Sequence, residues 1–128
     1  MVRQATRDDL DQVVRLGLDF HAASPWASDP VEPEGFRAFI GGVIENGAVF
    51  LEGDSMIAGM LSPVWFNPSL VLAFELAWWA PDGNGRAVRE EFERWARSAG
   101  ATGVQFAALA DHNLDRVERI YSRAGFKK

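Results

Sequence analysis

The segment "WWAPDGNGRAVREEF", Trp78–Phe92, passes from the aromatic end of an apolar run through a turn holding two glycines into a stretch with helical spacing. Upstream, Leu70 to Trp79 is apolar except at Glu75 and reads as a strand. Downstream, Val88, Phe92, Trp95, Ala96 and Ala99 share one helical face, with Glu90/Arg94 and Glu93/Arg97 one turn apart on the exposed side. Gly100 closes that helix, and Val104 to Leu109 is a near-continuous apolar strand. A strand, helix and strand in this order predict a parallel pair with a right-handed crossover.

The flanks complete the pattern. Val2 to Ala5 reads as a short first strand, and Thr6 caps a helix whose acidic first turn, Asp8 and Asp9, suits the positive end of the dipole. Leu10, Val13, Val14, Gly17, Leu18 and His21 are expected on its inner face. After a loop marked by Pro25 and Pro30, Pro33 opens a second helix carrying Phe36, Phe39, Ile40, Val43 and Ile44, and Asn46-Gly47 ends it. Ala48 to Leu51 and Met56 to Phe66 read as strands joined at Gly53-Asp54. Leu114, Val117, Tyr121 and Ala124 form the inner stripe of a last helix that stops at Gly125. The order βααβββαβα predicts an α/β (α+β) fold: a mixed, mostly antiparallel twisted sheet with helices on both faces. Residues 1–128 are expected to form a single domain, since 128 residues with 48% hydrophobic content supply one core.

Composition excludes several function classes. A formal charge of -5 without a dense Lys/Arg run disfavours nucleic acid and anionic membranes as partners. With no cysteine, neither a disulfide scaffold nor a thiolate metal site can be built, and two histidines in separate elements do not make a metal site. Leu70 to Ala80 is too short and too interrupted to span a bilayer, and the start, MVRQATRDDL, lacks a signal-like apolar core. A cytoplasmic location is expected.

The element order, the Gly-x-Gly turn and the segment "DHNLDRVERIYSRAGF", Asp111–Phe126, together resemble the GNAT superfamily of acyl-CoA-dependent N-acetyltransferases over essentially the whole chain. The resemblance implies acetyl-CoA as co-substrate, no metal, and transfer of an acetyl group to a primary amine of a small molecule or peptide by direct attack. The runner-up is a GNAT-like CoA-binding or protein-interaction module without catalysis. The family's phosphate signature is Gln/Arg-x-x-Gly-x-Gly/Ala. Here its first position falls on Ala80 if Gly83 and Gly85 are the glycines, or on Asp82 if Gly85 and Ala87 fill them. Neither register supplies the basic or amide residue, and the loop after Pro81 is short. The implied cofactor residues are Ala77, Trp78 and Trp79 at the strand end, Gly83, Asn84, Gly85, Arg86, Ala87 and Val88 in the turn, and Asn113. Glycines and a helix N-terminus together can cradle a pyrophosphate, and a bound diphosphate would offset the unfavourable placing of Arg86 and Arg89 near the positive dipole end. A turn built only for its backbone conformation is the other reading.

Tyr121 matches the family's tyrosine, which protonates the departing thiolate. A phenol with an ordinary pKa of about 10 carries its proton at neutral pH. Its place on the apolar stripe also suits plain packing. Glu75 is the candidate base for the attacking amine. Alternation groups it with Ala73, Ala77 and Trp79, and a structural carboxylate is the alternative. His21 and Ser24 fall where the family's first helices meet the acceptor, although His21 also suits the helix's apolar face, and His112 lies in a loop near the expected cofactor site. Family members continue past the Gly-Phe with one or two strands that are missing here, so a homodimer covering the edge of the fifth strand, or a natural tail, is expected.

Overall fold

A computed structural model describes residues 1–106. It places β1 at Arg3–Gln4, α1 at Leu10–Ala22, α2 at Pro33–Asn46, β2 at Ala48–Glu52, β3 at Ser55–Val64, β4 at Asn67–Trp79, α3 at Gly85–Ser98 and β5 at Gly103–Gln105. The strands lie side by side in chain order. β1 to β4 pair antiparallel, and β5 joins β4 in parallel, Leu72 opposite Gly103 and Phe74 opposite Gln105. The expected mixed sheet and its α3 crossover are therefore present. The expected last helix and the calls on His112, Asn113 and Tyr121 lie outside the described residues.

Each face of the sheet carries its own core. Val49, Leu51, Met56 and Ala58 pack with Val13 and Leu16 of α1 and with Ile40, Val43 and Ile44 of α2. Ala48, Phe50, Ile57 and Ala73 pack with Val88, Phe92 and Ala96 of α3. β2 is buried on both sides, which is why "AVFL" reads as an unbroken apolar run.

Local chemistry sets the helix starts. Arg7–Asp9 form a 3-10 turn before α1, and Asp9 accepts hydrogen bonds from Thr6 N–H at 2.8 Å and from the Arg3 guanidinium at 2.8 Å. These donors, Arg3 first, lower the Asp9 pKa to about 2. At α2, Pro33 sits in the first turn and the Glu32 side chain caps it by accepting from Gly35 N–H.

The structure corrects several expectations. The inner face of α1 centres on Val13 and Leu16, both fully buried, while Leu18 is 42% exposed. Leu18 lies nearly half a turn around the helix from both of them, on the outer side. Trp65 and Phe66 are the turn of the β3–β4 hairpin, because Val64 pairs with Asn67. On α3 the ion pairs include Arg86–Glu90, Arg89–Glu93, Arg94–Glu91 and a longer Arg89–Glu90 contact at 3.9 Å, in place of the two expected.

Candidate active site

β4 carries an irregularity that alternation alone does not reveal. Ala58 of β3 pairs with Ala77, but its neighbour Gly59 pairs with Glu75, so Leu76 is an extra residue on β4. Such a bulge breaks the ladder locally and reverses the parity of the strand beyond it. Ala73 accordingly belongs to the α3-side core, whereas Ala77 and Trp79 pack on the α1/α2 side. The expected grouping of Ala73 with Ala77 and Trp79 is corrected for this reason. Glu75 is half-buried beside the bulge, opposite Gly59, whose missing side chain makes room for the Phe92 ring of α3. The described β4–β5 pairing runs to Phe74, the residue before it.

The two tryptophans that end β4 face opposite ways. Trp78 packs on the α3 side, its ring centroid 5.7 Å from Phe106, and its Nε1–H donates to Gly85 O at 3.1 Å. That bond fastens the strand end to the first turn of α3. Trp79 packs against Phe20 of α1 at 6.1 Å, and among the described residues its buried Nε1 has no hydrogen-bond partner.

Between strand and helix, Ala80 to Gly83 form a tight turn closed by Gly83 N–H to Ala80 O at 3.3 Å, with Pro81 pre-setting its second position. Gly83 has φ 85°, and nothing lies within 4 Å of the place a Cβ would take. Gly85 is needed for close approach, since a Cβ there would lie 2.9 Å from the Ala80 Cβ and 3.3 Å from Trp78 Nε1. The first α-helical bond of α3 runs from Val88 N–H to Asn84 O, so the amides of Gly85, Arg86 and Ala87 stand ahead of the ladder at the helix's positive end. The segment therefore fits an anionic diphosphate: glycine-opened backbone, three leading amides and a helix dipole. Arg86 is 84% exposed and pairs with Glu90 at 2.9 Å, which holds Glu90 below the usual carboxylate range. Arg89 is mostly buried and bonds Glu93 at 2.8 Å.

In the register that puts Gly85 and Ala87 at the glycine positions, Asp82 stands where the phosphate signature has a basic or amide residue, and the structure shows what its carboxylate does. Its carboxylate accepts from the Ser55 hydroxyl, from Asp54 N–H at 2.7 Å and from Asn84 N–H at 3.3 Å. These bonds, Ser55 first, lower its pKa from the ordinary value. Sequence reading missed this role because Asp54, in the β2–β3 turn, and Ser55, at the start of β3, are remote along the chain.

On the other face, Phe20 brings the last turn of α1 onto Trp79, and His21 follows it, half-buried. Ser24 closes α1. Its hydroxyl donates to His21 O at 2.7 Å and accepts from Trp26 N–H at 3.2 Å. No group of three or more potential metal ligands occurs among the described residues, and no described helix is long and apolar enough to cross a membrane.

No sequence-family model and no curated protein matches the chain. Solved structures do. An aminoglycoside N-acetyltransferase, AAC(6')-Iy, in complex with the bisubstrate analog CoA-S-monomethyl-acetylneamine, is similar with a TM-score of 0.77 at 13% identity, over 100% of this chain and 90% of that one. A putative acetyltransferase from Agrobacterium tumefaciens gives 0.74 at 18% identity, over 100% and 93%. A GCN5-related N-acetyltransferase from Ralstonia eutropha gives 0.70 at 18%, over 100% and 92%. The fold is that of the GNAT-type acetyltransferases.

Proposed function

We propose that this chain is an acetyl-CoA-dependent N-acetyltransferase that acts on a primary amine by direct attack. The observation that carries the reading is the juxtaposition at the end of β4: a bulged strand holding the half-buried Glu75, followed at once by a glycine turn whose helix presents leading amides. Gly83 to Val88 hold the diphosphate of acetyl-CoA, and Ala77, Trp78, Trp79 and Asn113 flank the remainder of that molecule. The amine nitrogen bonds to the thioester carbonyl carbon, the carbon–sulfur bond breaks, and the amine's proton leaves to Glu75 directly or through water. Tyr121 gives its proton to the departing thiolate. The acceptor enters on the α1 side, past His21 and Ser24. The homodimer and the cytoplasmic location belong to this same reading.

The test pairs binding with turnover. Acetyl-CoA is expected to raise the melting temperature, and a panel of amines is expected to include one that releases CoA thiol. Amino sugars head the panel, because AAC(6')-Iy was solved with an acetylneamine analog; peptide amines follow. A thermal shift without CoA release from any amine favours the noncatalytic CoA-binding module, and no thermal shift sinks both readings.

A further inference from the structure

We infer that Asp82 is a positioning residue for the diphosphate loop: its carboxylate ties the turn before α3 to the β2–β3 turn and so sets where the first-turn amides point. The inference rests on reading the α3 N-terminus as the acetyl-CoA diphosphate site, and it deepens that reading by naming what fixes the turn that leads into it.

The tie has two ends. On one side, Ser55 is fully buried at the base of β3, and Asp54 N–H and the Ser55 hydroxyl both donate to the carboxylate. The neighbouring Gly53 adopts φ 58° and passes so close that a Cβ there would lie 2.5 Å from Asp82 Oδ2. On the other side, Asn84 N–H donates to Oδ1, one residue ahead of the leading amides of α3. A single carboxylate thus joins the exposed tip of the β2–β3 hairpin, whose strands are buried in the two cores, to the short turn that the Gly83–Ala80 backbone bond closes and the Trp78 clasp follows. Charge-assisted bonds of this kind are the stronger class, so their loss frees the turn.

Charge and geometry make opposite predictions, which lets the inference be tested. An aspartate acting only as a charge near a diphosphate repels it, and removing that charge tightens binding. A carboxylate that sets the loop helps binding in spite of its charge, and removing it weakens binding.

The experiment measures dissociation constants by calorimetry for Asp82→Asn, which removes the charge and keeps the shape, and for Ser55→Ala, which keeps the charge and removes one tie. Each is titrated with acetyl-CoA and with S-acetylpantetheine, which lacks the diphosphate. Both variants are expected to bind acetyl-CoA about tenfold more weakly or worse, the range for a lost charge-assisted bond, with S-acetylpantetheine within twofold of wild type. Tighter or unchanged acetyl-CoA binding in Asp82→Asn overturns the inference, as does an equal loss for both donors. Should Asp82→Asn fail to fold, Ser55→Ala decides alone: unchanged acetyl-CoA affinity overturns it. Wild-type protein that binds no acetyl-CoA instead removes the diphosphate site itself, so the two failures are told apart.

Discussion

Glu75 stands beside the extra residue of β4, half-buried and on the strand that leads into the glycine turn. A base in that place makes a specific demand on pH behaviour. With Glu75 removing the proton, log(kcat/KM) rises with pH through its apparent pKa, and Glu75→Gln flattens that limb while acetyl-CoA affinity holds. A purely structural carboxylate shows the reverse: an unaltered profile and a lower melting temperature, at a cost of about 1–3 kcal/mol. Measuring both on one variant separates them. Tyr121→Phe asks the matching question of the leaving group. Loss of a general acid is expected to slow turnover by about 10- to 10,000-fold with little change in acetyl-CoA affinity, and steady-state kinetics at wild-type rate would leave Tyr121 as packing. Glu75 was legible because a charge interrupts an apolar run. Asp82 was legible only as a departure from a signature, because its partners sit in a distant turn.

At the scale of elements, the order β1 to β5 and the parallel β4–β5 pair follow from periodicity and turn residues, with Gly47, Gly53, Pro81 and Gly100 marking the breaks around β2, the start of β3, the end of β4 and the end of α3. The bulge was hidden for a physical reason. In "FELAWW" the residues on both faces are apolar or half-buried, so a one-residue shift of parity leaves no mark in the pattern. The inner face of α1 was misjudged because Leu18 and Leu16 are equally apolar, and only packing against α2 and the sheet selects between them. The glycine turn was visible, but its two glycines prove to have different jobs. Gly83 meets a backbone requirement in open space, and Gly85 meets a packing requirement against Ala80 and Trp78. Gly83→Ala is therefore expected to weaken acetyl-CoA binding while lowering stability by only about 1–2 kcal/mol, the strain of a left-handed non-glycine residue. Gly85→Val is expected to lose melting temperature as well as affinity, since added methyl groups overpack the clasp by about 1–3 kcal/mol. Calorimetry and thermal melts on the pair check this, and wild-type affinity in Gly83→Ala would leave the turn as a corner and nothing more.

For the molecule as a whole, β4 matters because both cores share it. Ala73 and Trp78 belong to the α3 side, Ala77 and Trp79 to the α1/α2 side, and Trp78 clasps the first turn of α3. A ligand seated on that turn therefore stabilises a strand on which both layers depend, and its effect should be global rather than confined to a loop. Scanning calorimetry is expected to show one unfolding transition that acetyl-CoA moves upward as a unit, by about 2.7 kcal/mol at a concentration one hundred times its Kd. Phe92 lies fully buried beneath the sheet in the α3-side core, away from the leading amides. Phe92→Ala should thus lower the baseline stability by about 3–5 kcal/mol while keeping the ligand-induced increment at the same multiple of Kd. Two transitions, of which acetyl-CoA moves only one, would show instead that the α3 layer and the α1/α2 layer unfold independently. In that event β4 would not couple them, and the binding energy at the glycine turn would stay on one side of the sheet.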